Sequence, residues 1–147
     1  MSQTTAATAP ALDLAQINAE LGRDAQALVN WAVGLGQATI VTTNFRPFEA
    51  VILHMVTRAN PNVPVVWMDN GYNTVATYQF ADAVTKQLGL NLKIYLPLRS
   101  RAHREAVEGE TPALDDPRHA AFTEEVKLEP ITRAPRATAP TAWSTAL

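Results

Sequence analysis

A chain of 147 residues, 47% hydrophobic and 18% charged, is sized for one domain that buries a substantial core. Its net charge of −2 leaves no electrostatic footprint for nucleic acid or an anionic membrane, and no run approaches the roughly 20 apolar residues of a spanning helix, so the cytoplasm is the expected compartment. The absence of cysteine excludes disulfides, thiolate-held zinc, cysteine-ligated iron–sulfur clusters and cysteine nucleophiles within this chain.

Residues 1–11 are rich in Ala and Thr, lack Lys and Arg, and read as a flexible leader rather than a signal peptide. From Leu12 to Leu35 apolar residues recur at helical spacing, interrupted at Gly22, which predicts a helix in one or two segments. Gly34 and Gly36 end it. The β-branched run within 38–43 suits a buried strand, Asn44 to Phe48 a turn with Pro47 at a helix start, and Ala50 to Arg58 a helix. Asn60-Pro61-Asn62 breaks that helix, a second strand is expected over 63–68, and Asn70-Gly71 turns the chain into a helix over 75–88 closed by Gly89. A third strand over 91–96 stops at Pro97.

Strands alternating with helices at this spacing predict βαβ units with parallel pairing and right-handed crossovers. The expected fold class is α/β, a Rossmann-like three-layer sandwich with a mainly parallel sheet and helices on both faces. Beyond Pro97 the pattern thins: a short helix over 100–107, a loop over 108–117, a helical stretch over 118–133 broken by Pro130. The domain is thus expected to occupy 12–133, with an irregular or disordered tail over 134–147 that is rich in Ala, Thr and Pro.

Ligands of open parallel sheets bind outside the strands' carboxyl ends, where loops and helix starts expose N–H donors to anions. After the first strand come Thr42, Thr43, Asn44, Phe45 and Arg46, which offer hydroxyls, an amide and a guanidinium; a plain helix-capping turn accounts for the same residues. After the second come Asp69, Asn70, Gly71 and Tyr72, where an acid could accept from ribose or base, although Asp-Asn-Gly commonly does no more than reverse a chain. Arg101 and Arg104, after the third strand, suit the rim of a phosphate or sulfate site, or equally a solvated helix face balanced by Glu105 and Glu108. His54 reads as a boundary residue, and His54, His103 and His119 are too dispersed for a metal site, so none is expected.

In the same order, Thr42-Thr43-Asn44-Phe45-Arg46-Pro47-Phe48-Glu49-Ala50-Val51-Ile52-Leu53-His54 resembles the modified PP-loop SSSFGAEDQVLLH of the PAPS and APS reductases. Asp69-Asn70-Gly71-Tyr72 with Thr77-Tyr78-Gln79-Phe80-Ala81-Asp82 resembles their DTGYxFPETYxFAD, the most specific match. Lys127-Leu128-Glu129-Pro130-Ile131 with Arg133-Ala134 resembles KVEPLxRAL, and Trp143 stands where WFTGLR would begin. The resemblance implies an adenine nucleotide α-hydrolase-like fold that binds PAPS or APS in sulfate assimilation, with thioredoxin or glutaredoxin as reductant and a homodimer compatible with it.

In that family a C-terminal cysteine attacks the sulfur and leaves a thiosulfonate; the segment has no counterpart here, so no catalytic residue is assigned and a truncated or frame-altered product is expected. Phe122 and Thr123 align with the first cysteine pair of cluster-bearing members, so no iron–sulfur cofactor is expected, which leans toward PAPS. Arg46-Pro47 replaces small residues of the loop, and Thr74-Val75-Ala76 replaces Phe-Pro-Glu. Two alternatives stand beside an incompetent reductase: a non-catalytic adenine-nucleotide module, and a PP-loop ATP pyrophosphatase. The latter requires a glycine-rich loop that Thr42 to Phe48 does not provide.

Overall fold

Gly22 splits the N-terminal apolar periodicity into two helices. A computed structural model of the chain, which describes residues 12–35, 39–140 and 142–145, begins with α1 (Leu14–Leu21) and α2 (Ala25–Gly34). Asp13 and Asp24 cap them by accepting from the backbone N–H groups of Gln16 and Ala27. The leader expected over 1–11 lies outside the described residues.

The three expected strands follow as β1 (Thr39–Thr43), β2 (Pro64–Met68) and β3 (Asn91–Tyr95). Between them run α3 (Ala50–Ala59), entered through a 3₁₀ turn over Pro47–Glu49, and α4 (Val75–Leu88). The ends of α4 carry the expected chemistry: the Thr74 hydroxyl accepts from the Thr77 N–H, and Gly89 at φ 60° supplies the left-handed residue that stops the helix.

Every strand pair among the described residues is parallel, in the order β3-β2-β1-β4. Val41 registers with Val65, and Trp67 with Ile94. Ile40, Val41, Val65 and Val66 are each no more than 3% exposed, because helices cover both faces of the inner strands. On one face Val41, Val65 and Trp67 pack against Val29 of α2, Leu53 and Val56 of α3, and Ala81 and Val84 of α4. Leu53 is fully buried there, worth about 1.5–3 kcal/mol of transfer free energy. On the other face Ile40 and Val66 meet Ala134 of α7 (Glu129–Thr138). The three-layer α/β architecture expected from the βαβ pattern is therefore present.

Two expectations for the last third are corrected. Pro130 does not break the helical run: α5 (Arg101–Glu108) is followed, after a loop, by α6 (His119–Thr123), a π-helical turn over Glu124–Leu128, and α7 without interruption. Pro130 falls in the first turn of α7, and the wider π turn before it accommodates a residue that lacks an N–H. Nor is the described part of the segment over 134–147 irregular. Helix α7 continues to Thr138 through Pro135, and β4 (Ala142–Thr145) pairs in parallel with β1, with Ile40 opposite Trp143. A strand of four residues draws its order from the free edge of β1, a long-range partner that local composition does not display.

Candidate functional site

Strand order reverses at β1: β2 and β3 are added on one side, and β4 returns to the other. Such a switch point leaves a crevice outside the strands' carboxyl ends. Here the crevice has two lobes that share Asn44, Met68 and Lys127. The inner lobe, about 180 Å³, lies against Thr42, Val66, Ile131, Ala134 and Trp143, with Glu49 at its wall. The outer lobe, about 350 Å³, is bounded by Arg46, Pro47, Asn70, Asn73 and Thr77. The two strand-end loops singled out in the sequence thus meet in one crevice.

The loop after β1 is held by a buried carboxylate. Glu49, 5% exposed, accepts through Oε2 from the Thr43 hydroxyl at 2.7 Å and from the Asn44 backbone N–H at 2.6 Å. Thr43 Oγ1 in turn accepts from the Phe45 N–H at 3.0 Å. Phe45 takes φ 53°, an unusual backbone for a bulky residue, and is kept there by burial of its ring edge-on against Trp67, with centroids 5.0 Å apart. With Phe45 driven inward, the neighbouring Asn44 and Arg46 side chains are left exposed on the crevice. Thr42 accepts through Oγ1 from the Trp143 indole N–H at 3.0 Å, which ties β4 to the same loop.

The loop after β2 is organised by Asp69. Its Oδ1 accepts from the Gly71 N–H at 3.0 Å, the Asn73 side-chain amide at 3.0 Å and the Tyr78 hydroxyl at 2.8 Å. Asn70 Oδ1 accepts from the Tyr72 N–H at 2.8 Å, and Gly71 sits at φ 81°. Asp69 Oδ1 is thus turned back toward its own loop and α4, while Asn70 and Asn73 take the crevice wall. Burial and the Asp69 hydrogen bond raise the Tyr78 phenol above its ordinary range.

Tyr72 points the other way. Its hydroxyl accepts from Arg104 Nε at 2.7 Å, and the Arg104 guanidinium stacks over the Phe122 ring at 4.7 Å. Arg104 is 2% exposed, and Nη2 has no partner among the described residues. Arg101 also lies over the Tyr72 ring, at 4.7 Å, and pairs with Glu105 at 2.7 Å. Neither Arg101 nor Arg104 lines either lobe; aromatic faces and Glu105 hold them against Tyr72.

Glu49, Lys127 and Trp143 are among the crevice residues that were not singled out as candidates. In sequence Glu49 lies within the stretch resembling the modified PP-loop, Lys127 opens the one resembling KVEPLxRAL, and Trp143 stands where WFTGLR would begin, but none was given a role in a site. Lys127 lies in the π turn, which aims it at the junction of the lobes, and among the described residues it has no ion-pair partner. Arg46 has none either. Among the described residues no cluster of His, Asp and Glu is grouped to hold a metal ion, and no helix is long and apolar enough to cross a membrane.

Residues 39–145 match the profile of the phosphoadenosine phosphosulfate reductase domain. The phosphoadenosine 5′-phosphosulfate reductase of Synechocystis sp. is 39% identical over 139 residues, covering 92% of this chain and 56% of the relative. That of Synechococcus sp. is 37% identical over 141 residues, covering 91% and 60%. The chain thus spans just over half the length of these relatives. A solved phosphoadenylyl-sulfate reductase from Candida auris, in complex with phosphate, superposes with a TM-score of 0.77 over 95% of this chain and 70% of its own, at 22% identity. That last likeness is one of fold.

Proposed function

Since the chain belongs to the phosphoadenosine phosphosulfate reductase domain family, we propose that its crevice binds the sulfonucleotide of sulfate assimilation, PAPS or APS, and that this chain by itself does not reduce it. The observation that carries the reading is the two-lobed crevice at the switch point, with Lys127, which has no ion-pair partner among the described residues, where the lobes join. An anionic ligand supplies the partner that this cation lacks. Thr42, Thr43, Asn44, Phe45 and Arg46 form one wall, and Asn70 lines the other, on a loop that Asp69, Gly71 and Tyr72 shape and anchor.

The reductive half of the reaction needs a thiolate that attacks sulfur and then leaves through thiol–disulfide exchange with thioredoxin or glutaredoxin. Neither Ser nor Thr forms an exchangeable adduct. With no cysteine in 147 residues, the chain has no group for that step and no thiolate set for an iron–sulfur cluster. Binding that is equal in ground and transition states does not accelerate chemistry. Calorimetry with PAPS should therefore give a saturable isotherm, while purified chain plus reduced thioredoxin releases no sulfite. Thioredoxin-dependent sulfite release would overturn the second half of the proposal, and absence of binding to PAPS, APS and adenosine 3′,5′-bisphosphate would overturn the first.

A further inference from the structure

Asn70, alone among the asparagines of this chain, is followed by glycine. The backbone nitrogen after an asparagine can attack its side-chain carbonyl carbon, and glycine, which has no Cβ, leaves that approach open. Here the fold adds two groups to the reacting pair. Gly71 N–H donates to Asp69 Oδ1 at 3.0 Å, so a carboxylate stands on the proton that the nucleophile must lose. Tyr72 N–H donates to Asn70 Oδ1 at 2.8 Å, so the oxygen that gains charge in the attack already has a donor. The same bond folds the Asn70 carbonyl back over the Gly71 peptide. Nucleophile, base, electrophile and oxyanion donor thus lie between Asp69 and Tyr72. Asn70 and Gly71 are half-buried and Asn70 lines the outer lobe, so water reaches them.

We infer that Asn70 is a self-modifying site, at which the chain deamidates and so closes its crevice to anions. Gly71 N bonds to Cγ of Asn70. Its proton passes to Asp69 and on to Nδ2 of Asn70, which leaves as ammonia when the Cγ–Nδ2 bond breaks. Water then opens the succinimide at either carbonyl, giving aspartate or isoaspartate, with no change of oxidation state. The motif that this loop resembles has threonine at position 70, which offers no carbonyl to attack, so the reaction belongs to this chain.

The position gives the modification its effect. Among the described residues the outer lobe is lined by two cations, Arg46 and Lys127, and by no carboxylate. Deamidation places the first carboxylate in that lining and sets it against any incoming anion. The isoaspartate form also lengthens the main chain of a loop that Tyr72 ties to Arg104. The reaction needs no ligand; only its effect on affinity rests on the nucleotide reading above.

The experiment ages the purified full chain at physiological temperature and pH over several weeks, with peptide mass mapping and calorimetry at intervals. Asn70 is expected to convert ahead of every other asparagine, to a mixture of aspartate and isoaspartate, and no slower than in a synthetic peptide of residues 66–75. The converted chain is expected to bind adenosine 3′,5′-bisphosphate about tenfold more weakly than the fresh chain, as Asn70→Asp does from the start. Asn70→Thr, whatever its initial affinity, should show no decline with age. Conversion of another asparagine first, or slower conversion in the folded chain than in the peptide, overturns the site. Unchanged affinity in the converted chain, or an equal decline in Asn70→Thr, overturns the closing of the crevice. If the fresh chain binds no nucleotide, the nucleotide reading fails and the closing falls with it, while the mass map still decides the modification.

Discussion

Glu49 shows how much of the site depends on one buried acid. Its Oε2 fixes Thr43 and Asn44 together, and through Thr43 it fixes the backbone of Phe45. Glu49→Ala removes the shared acceptor and leaves a buried hydroxyl without one, so unfolding in urea should lose about 2 kcal/mol, with Glu49→Gln losing roughly half as much. Bisphosphate affinity should fall with the same ordering, because the loop that carries Asn44 and Arg46 loses its brace. Sequence displayed the residues of this loop but not their division of labour. Thr42, Asn44 and Arg46 were legible as polar groups at a strand end, whereas the role of Glu49 depends on a hydrogen bond across the turn that no local pattern announces. Asp69 illustrates the converse: one oxygen of an acid at a strand end accepts from two donors of its own loop and from the Tyr78 hydroxyl of α4.

Among elements, the contact between α5 and the loop after β2 rests on a buried arginine. Arg104 works as a latch, packed over both Tyr72 and Phe122, whose rings also meet edge-on. Tyr72→Phe deletes the acceptor of Arg104 Nε and leaves a buried guanidinium with two orphaned donors, a loss of about 1–3 kcal/mol. In an Arg104→Met background the same Tyr72→Phe change should cost under about 1 kcal/mol, since no buried charge is left stranded. A double-mutant cycle in urea measures the difference; equal costs in both backgrounds would remove the latch. The elements themselves were legible where pattern and environment agree. Strands β1 and β2 are buried on both faces and read as apolar or β-branched runs. Strand β4 is half-exposed and short, so only its partner β1 distinguishes it from the Ala- and Pro-rich chain around it.

At the scale of the whole molecule, Tyr78 links alkaline pH to stability. Its folded phenol titrates above the ordinary value of 10, so as pH rises past that value the unfolded phenol ionises first and unfolding releases a proton. The stabilisation is complete below the unfolded value and is lost as pH climbs through the folded one. Denaturation midpoints between about pH 9 and 11 should therefore fall more steeply for the unmodified chain than for Tyr78→Phe, and parallel slopes would show that the phenol is not linked to folding. The sheet has a further consequence, in time rather than in energy. Trp143 and Thr42, which close the inner lobe together, lie 101 residues apart. At roughly 5–20 residues per second of synthesis, β1 waits on the order of 5–20 seconds for β4 to be made. During that interval its outer edge offers unpaired N–H and C=O groups to any neighbouring chain. The nascent protein is thus most open to misassembly along the strand that will carry its binding loop, and the crevice is among the last features to be completed.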